Sequence, residues 1–230
     1  MKKSKKIFVV SDVHGHYTLL KEALDRVGFE NENPDHLLIC CGDCFDRGSE
    51  NFEVLKFFER LKHKVLLRGN HEDLLLKLLE TGKILPHNYI NGTLQTLTDF
   101  FGKYFINPAD DTIDFSGKTR MVDRVTEFID ETVDYFETEN YVFVHGWFAE
   151  KGDWEKARWL KWTEKYDGTP PLPDKTVVCG HMPTFYANKF DTSRSPTDAS
   201  IFYGNGVIAI DAGTFDSKQI NVLVLEDNLI

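Results

Sequence analysis

The segment CGDCFDRGSE, residues 41–50, directly follows an apolar run at 37–40 and places a glycine on either side of two acids. Asp43, Asp46 and Arg47 therefore crowd into one turn at the end of a predicted strand. Strands rarely end in this way for packing reasons alone. The polar ends of strands are thus the feature from which both the fold and the chemistry of this chain are predicted.

Length and composition favour one globular domain. The chain has 230 residues, of which 41% are hydrophobic and 28% charged, and we interpret residues 1–230 as a single domain with an insertion. The 27 Lys and Arg against 37 Asp and Glu give a formal charge of 27 − 37 = −10. A surface with that balance lacks the basic footprint of a nucleic-acid binder, so no nucleic-acid polymer is expected as a partner.

The amino terminus, MKKSKK, has the charge of a signal-peptide start, but only the four apolar residues at 7–10 follow before Ser11 and Asp12. Four residues are too few for a signal-peptide core, and no run approaches the length of a membrane span. We therefore expect a cytoplasmic protein without membrane contact. The four cysteines fit that compartment, and buried free thiols are favoured over a zinc site because two of them lie in an apolar strand.

Short runs rich in Val, Ile and Leu predict strands that are covered on both faces. Between the early runs, apolar residues keep helical spacing at 19–27 and at 54–61. This alternation of strand and helix predicts an α/β fold. The predicted strands are Ile7–Val10, Leu37–Cys41, Lys64–Leu67, Tyr141–Val144, Thr176–Cys179, Val207–Ile210 and Ile220–Leu225.

The region at about 73–140 differs from the rest because its patterns are mostly helical. We interpret it as a helical insertion packed on the α/β body, not as a second domain. Its clearest pattern is an apolar stripe that predicts one core-facing helix, formed by Val122, Val125, Phe128, Ile129, Val133 and Phe136.

Five predicted strands are each followed by Asp, Asn or His beside a glycine. Taken singly, each of these residues is more typical of a capping acid, a buried histidine or a turn. Because ligands of open α/β sheets bind at the carboxyl ends of strands, the five ends together predict one convergent site. The candidate ligands are Asp12, His14, Asp43, Asn70, His145 and His181.

Carboxylate, imidazole and amide oxygen ligands without thiolate suit manganese, iron or zinc. Six such ligands are enough for two ions that share one carboxylate, the arrangement that stabilises both oxygens of an in-line displacement at phosphorus. Asp43 is the candidate for the shared carboxylate. Arg47 offers a charged fork for phosphate oxygens, and Asp46 is then free to orient a histidine.

The motifs DVHG, GDCFDRG, LLRGNHE, VHG and GHMP occur in this order. As a set they resemble the calcineurin-like metallophosphoesterases, and the GDxxDRG and RGNHE forms are similar to the Ser/Thr protein phosphatase branch and its bacterial relatives, which include symmetrical diadenosine tetraphosphatases. The resemblance runs from Ile7 to the closing IAIDAGTFDSKQINVLVLE and leaves the 73–140 region essentially unmatched.

The resemblance implies a central β-sandwich flanked by helices and a role for each matched residue. Asp12 and His14 would hold the first metal ion, and Asp43 would bridge to the second. That second ion would be completed by Asn70, His145 and His181. A hydroxide bridging the two metals would attack phosphorus. The resemblance further implies a general acid, its orienting carboxylate and two phosphate-binding arginines: His71, Asp46, Arg47 and Arg68.

This chain departs from the family pattern at three places. No second histidine follows His181, which favours the protein phosphatase branch over the nucleases of the superfamily. The bulky Trp147 and Phe148 follow the fourth motif. The segment RWLKW, residues 158–162, offers Lys161 or Arg158 as another phosphate contact, and its two tryptophans are more simply explained by burial than by stacking.

These observations predict a metal-dependent phosphoric monoester hydrolase, with manganese favoured and iron or zinc as alternatives, and a Ser/Thr phosphoprotein or a small phosphomonoester as substrate. The alternative is a dinucleoside polyphosphate hydrolase, because the same two-metal centre serves both reactions. A non-catalytic binding module is the least favoured interpretation, since no ligand is missing. The 73–140 region is expected to set the choice of substrate.

Overall fold

The structure is a computed structural model that describes residues 4–102 and 106–230. Its strands are β1 (Ser4–Val10), β2 (His36–Cys40), β3 (Lys64–Leu66), β4 (Ile106–Asn107), β5 (Thr112–Ile113), β6 (Tyr135–Glu137), β7 (Tyr141–Val144), β8 (Thr176–Cys179), β9 (Phe202–Gly204), β10 (Val207–Ala209) and β11 (Leu223–Asn228). Its helices are α1 (Tyr17–Arg26), α2 (Asn51–Arg60), α3 (Asn70–Thr81), α4 (Pro86–Ile90), α5 (Thr93–Phe101), α6 (Thr119–Asp130), α7 (Trp154–Ala157), α8 (Trp162–Lys165) and α9 (Thr214–Ser217), with 3₁₀ turns at Glu150–Gly152 and Thr184–Lys189.

Most of these strands form two sheets, in the orders β11-β1-β2-β3 and β6-β7-β8-β10-β9, and β4 and β5 form a separate hairpin. Each sheet contains three neighbouring parallel strands, β1, β2 and β3 in one and β7, β8 and β10 in the other, and β3 lies at the edge of its sheet. Antiparallel strands border the others: β11 pairs with β1, β6 with β7 and β9 with β10. Because parallel strands end at the same edge, the loops after them lie together.

The two sheets pack face to face around a buried apolar cluster. Successive residues of β1 point to opposite faces: Ile7 and Val9 enter this inner cluster, whereas Phe8 and Val10 pack against the helices outside. Burial on both faces explains why the strands read as continuous apolar runs. Full burial of one such side chain contributes about 1.5–3 kcal/mol to the free energy of unfolding. The predicted β-sandwich flanked by helices is confirmed.

Helices α1, α2, α3, α5 and α6 cover the outer face of the first sheet, and their apolar residues form one cluster with it. Much of the 73–140 region is therefore helical, as predicted, although it also contains the β4–β5 hairpin and β6. Whether the region is best described as an insertion stays a prediction. The outer face of the second sheet packs against the short segments around α7, α8 and the turn at Thr184–Lys189.

The predicted helical stripe is wrong beyond Asp130, where α6 ends. The backbone N–H of Val133 donates to the carbonyl of Leu66, and its own carbonyl accepts from Arg68. Phe136 lies in β6, opposite Phe143. Pairing with existing strands thus overrides the helical period of the sequence.

Other predictions have mixed outcomes. The last strand is Leu223–Asn228 and not Ile220–Leu225, and β9 was not predicted. The four cysteines are buried free thiols, as expected.

The two tryptophans of the RWLKW segment differ in exposure. Trp162 is fully buried, but Trp159 is 46% exposed, so the predicted burial holds for only one of them. Within the described residues, no helix has the length and apolar character needed to cross a membrane.

Candidate metal centre and general-acid pair

The loops after the parallel strands bring the six predicted ligands together. Five of them are buried and His181 is half-buried. Four of the six, Asp12, His14, Asp43 and His181, have left-handed backbone conformations with φ of 52°, 47°, 55° and 65°. Such conformations are unfavourable for residues with a side chain and persist where surrounding contacts enforce them, commonly at functional sites.

Asp43 lies at the centre of the cluster. Its Oδ1 atom is 3.4 Å from Nε2 of His145, and its Oδ2 atom is 3.8 Å from Nε2 of His14. Two groups of side chains have ligand atoms within 4.8 Å of one another: His14, Asp43 and His71, and Asp43, His145 and His181. Asp43 belongs to both groups, as a carboxylate that bridges two ions must.

Asp12 and Asn70 add oxygen atoms to the two groups. The Oδ1 atom of Asp12 lies 3.9 Å from Nε2 of His14, while its Oδ2 atom accepts hydrogen bonds from the Ser11 hydroxyl and from the backbone N–H of His181. The Oδ1 atom of Asn70 lies 3.0 Å from Nε2 of His145. The donor set is therefore mixed oxygen and nitrogen around Asp43, and it fits two transition-metal ions.

The imidazoles of His14 and His145 are oriented by backbone carbonyls. Nδ1 of His14 lies 2.9 Å from the carbonyl oxygen of Phe45, and Nδ1 of His145 lies 2.7 Å from that of Cys41. A carbonyl only accepts, so each Nδ1 carries the proton and each Nε2 presents its lone pair to the cluster. This is how metal-binding histidines are commonly held.

Electrostatics favour the protonation states that a metal requires. Burial, followed by neighbouring positive charge, lowers the pKa of His14 well below its ordinary value, and burial beside His145 lowers the pKa of His181 to about 3. Both rings are therefore neutral near pH 7. Burial by itself would raise the pKa of Asp43, but the surrounding histidines, His145 foremost, hold it below its usual value. His14, Asp43 and His181 are therefore ready to bind a metal without losing protons, whereas burial raises the pKa of Asp12.

His71 and Asp46 form a buried pair beside this cluster. Nδ1 of His71 lies 2.8 Å from Oδ2 of Asp46, and Nε2 faces the cluster, 3.9 Å from Oδ2 of Asp43. Burial disfavours the charged ring, but the charge of Asp43 and the hydrogen bond of Asp46 outweigh it and raise the pKa of His71 to about 9. The geometry admits Nε2 as a proton donor or as a ligand, and the general-acid role stays a prediction.

The candidate phosphate-binding cations differ in their surroundings. Arg47 is exposed, and its guanidinium lies 3.5 Å from Nε2 of His71, next to the cluster. Arg68 instead donates to the carbonyl of Ile129 at 2.8 Å and to Thr132 at 3.0 Å. Arg47 is therefore the better-placed of the two, and phosphate binding by Arg68 stays a prediction.

The RWLKW segment also holds its cations in ion pairs. Arg158 is buried and bonds to the carboxylates of Asp73, at 2.7 Å, and Asp134. Lys161 pairs with Glu164 at 3.3 Å on the surface. A phosphate contact by either cation would require it to leave its acidic partner.

Glu72 is a site residue that sequence reasoning missed. Its buried carboxylate accepts hydrogen bonds from the backbone N–H groups of Asp43, Cys44 and Gly69, at 2.8–2.9 Å. It thereby joins the loop after β2 to the start of α3. A glutamate three residues into a helix is a known signal of an N-terminal cap, and that signal was present. Burial and the charge of Asp43 raise the pKa of Glu72 to about 7.

The absence of a side chain at Gly69 is part of the same junction. A Cβ atom at this position would collide with Oδ1 of Asp43.

Asp211 is a second buried carboxyl near the cluster that the sequence analysis did not identify. Burial and the charge of Asp12 raise its pKa well above the usual value. Its Oδ1 atom accepts from the backbone of Gly213 at 2.7 Å.

A β-sandwich that gathers aspartate, histidine and asparagine at its strand ends has the site of a metal-dependent hydrolase. The chain belongs to the calcineurin-like phosphoesterase family, whose sequence model matches residues 5–211. The predicted resemblance is confirmed at the level of the family.

Among curated proteins, the chain is 40% identical over 76 residues to serine/threonine-protein phosphatase 2 of Escherichia coli strain K12, covering 33% of this chain and 34% of that protein. It is 32% identical over 97 residues to the symmetrical bis(5'-nucleosyl)-tetraphosphatase of Coxiella burnetii strain Dugway 5J108-111, covering 42% and 32%. The matches thus span about a third of each relative's length. The crystal structure of a metallophosphoesterase from Sphaerobacter thermophilus aligns with a TM-score of 0.56 at 13% identity, covering 99% of this chain and 89% of that one, and shows the shared fold.

Proposed function

We propose that this chain is a metal-dependent phosphomonoesterase of the Ser/Thr protein phosphatase type, which acts in the cytoplasm on phosphoproteins or small phosphate monoesters. The observation that carries the proposal is the position of Asp43, whose two oxygens face two different groups of ligands. Manganese is the favoured metal, and the mixed oxygen and nitrogen donor set also suits the alternatives, iron and zinc. Two bound ions would supply charge stabilisation for the attacking and leaving oxygens of an in-line displacement.

The side chains around the cluster would bind and protonate the substrate. Arg47 extends from the exposed side of the cluster, where its planar guanidinium suits two phosphoryl oxygens. His71, whose Nε2 faces the cluster 3.9 Å from Oδ2 of Asp43, would donate a proton from that atom to the leaving oxygen. Asp46 fixes the ring through Nδ1, at 2.8 Å. Arg68 is assigned a supporting role in phosphate binding.

A second candidate function is hydrolysis of dinucleoside polyphosphates. It is favoured by the similarity to the symmetrical tetraphosphatase of Coxiella burnetii. The metal ligands serve both reactions equally, so the choice is expected to depend on the 73–140 region, whose α4 and α5 border Arg47.

The test is a substrate comparison with manganese-loaded protein. We expect turnover of p-nitrophenyl phosphate and of phosphoserine or phosphothreonine peptides that exceeds turnover of diadenosine tetraphosphate. The Asp43→Asn variant should be inactive on every substrate. Preference for diadenosine tetraphosphate would establish the second candidate instead, and no turnover of any of them would contradict both.

A further inference from the structure

We propose that Thr93 and Thr96, two buried threonines of α5, are positioning residues that hold Asp46 and, through it, the ring of His71. The inference rests on the general-acid role proposed for His71. It assigns to the first turn of α5, which the sequence motifs do not reach, a direct part in the alignment of the acid.

The hydroxyl groups of the two threonines occupy both oxygens of the Asp46 carboxylate. Thr93 donates to Oδ2 at 3.0 Å, and Thr96 donates to Oδ1 at 2.7 Å. Oδ2 also accepts a hydrogen bond from Nδ1 of His71. Asp46, Thr93 and Thr96 are each 0% exposed, so water does not replace a missing donor. A buried carboxylate needs such donors to satisfy its oxygen atoms and to keep its orientation.

Thr96 also holds the backbone of Asp46. Its hydroxyl accepts a hydrogen bond from the Asp46 N–H at 3.1 Å and donates one to Oδ1 of Asp46. One hydroxyl thus acts as both acceptor and donor to the same residue. The backbone at this point is left-handed, with φ of 72° at Asp46 and 65° at Arg47. A loop of that kind relaxes unless its neighbours hold it.

The turn before α5 holds the backbone of Arg47, the residue that follows Asp46. The backbone N–H of Arg47 donates to the carbonyl of Asn91 at 3.0 Å. Gly92 has a φ of 75°, and a Cβ atom there would lie 3.0 Å from the nitrogen of Arg47, which is closer than side chains normally approach. The segment at 91–96 therefore contacts both the general-acid pair and the phosphate-binding arginine.

A third link comes from the middle of α5. Asp99 accepts from Nδ2 of Asn51 at 2.8 Å, and Oδ1 of Asn51 accepts from the N–H of Asp46 at 2.9 Å. Every one of these contacts ends on Asp46 or its neighbours and none reaches the metal ligands themselves. Loss of the threonine hydroxyls should therefore disturb protonation of the leaving group more than it disturbs metal binding.

The test compares Thr93→Val and Thr96→Val with a matched control on the same helix, Thr98→Val. Thr98 is exposed, and within residues 4–102 and 106–230 its hydroxyl donates to the carbonyl of Leu94. With phosphoserine, whose leaving alkoxide needs a proton, we expect kcat to fall about tenfold or more in the two buried variants. With p-nitrophenyl phosphate, whose leaving group hardly needs one, the fall should stay below about threefold. Metal content should be unchanged, and Thr96→Ser should restore activity on phosphoserine.

A second readout does not depend on turnover. In protein with ¹⁵N-labelled histidine, the Nδ1 proton of His71 is identified by its loss in His71→Asn. We expect this resonance to shift or broaden in Thr93→Val and Thr96→Val and to stay unchanged in Thr98→Val. If Thr96→Val does not fold, Thr93→Val, which loses a single hydrogen bond, decides the question.

The outcomes separate this inference from the proposed function. Equal losses on the two substrates, or an unchanged His71 resonance in both buried variants, would overturn the positioning role while the phosphatase activity stands. A wild-type protein that hydrolyses neither substrate would refute the proposed function, and the resonance would still show whether the threonines hold His71.

Discussion

Nδ1 of His71 and Oδ2 of Asp46 lie 2.8 Å apart, in a pair whose side chains are 3% and 0% exposed. The contact fixes which nitrogen of the ring faces the ligand cluster, because Nδ1 is occupied and Nε2 alone points toward Asp43 and Arg47. A histidine held in this way is suited to deliver a proton at one defined place.

The first prediction concerns the leaving group. His71→Asn should keep its metal content and lose about 10²-fold or more in turnover of phosphoserine, the usual contribution of a positioned acid. The loss on p-nitrophenyl phosphate should be much smaller, and steady-state kinetics on both substrates measure the difference. Loss of metal in this variant would instead make His71 a ligand.

The second prediction concerns pH. In metal-free protein the pKa of His71 is raised from 6.5 to about 9, so the proton stabilises the fold. That stabilisation is fully present below pH 6.5 and is lost as the pH rises through about 9. By linkage the loss amounts to about 3 kcal/mol. Denaturant unfolding of the chelator-treated protein at both ends of this pH range should show the loss of stability. The His71→Asn variant should not show that loss. An equal pH dependence in the variant would contradict the assigned pKa.

The third prediction concerns phosphate binding. Arg47→Ala should weaken competitive inhibition by inorganic phosphate about tenfold, since a charge-assisted contact is lost. Arg124→Ala is the control: its guanidinium pairs with Glu59 on the surface, where such a bridge is worth little. Arg68→Ala tests the second arginine, which must leave Ile129 to reach a phosphate. Unchanged inhibition in both Arg47→Ala and Arg68→Ala would remove the phosphate-binding role of this pair.

The fourth prediction concerns Glu72. Glu72→Gln puts an amide N–H₂ against backbone N–H donors and should destabilise the fold by about 1–3 kcal/mol, the cost of an unsatisfied buried donor. Glu80→Gln is the same change at an exposed position of the same helix and should stay within about 0.5 kcal/mol. Chemical denaturation measures both. Equal stability of the two variants would contradict the role of Glu72 as a junction.

The loops that the structure gathers around Asp43 could be predicted from the sequence because each consists of a few neighbouring residues after an apolar strand. The role of their side chains as metal ligands stays a prediction. Asp43 and His145 are recognised from their own neighbours, although their side chains meet across 102 positions of the chain. Thr93 and Thr96 have no such local signal. Their hydroxyls reach Asp46 from 47 and 50 positions away, and two threonines in a helix look ordinary until the helix is packed.

The misassigned stretch after α6 has the opposite origin. The apolar spacing of Val133 and Phe136 agrees with a helix, but Val133 forms a parallel bridge with Leu67, and Phe136 pairs with Phe143. Hydrogen bonding to the segment after β3 and to β7 outweighs the helical spacing there. Periodicity alone does not contain that information.

Metal stoichiometry is the measurement that tests whether two metal ions share Asp43. Elemental analysis of manganese-reconstituted protein should give two ions per chain. Asp43→Asn should weaken retention of both ions, whereas His14→Ala should mainly empty one site, because His14 belongs to only one of the two ligand groups. A single ion per chain in the wild type, or full metal content in Asp43→Asn, would contradict the account.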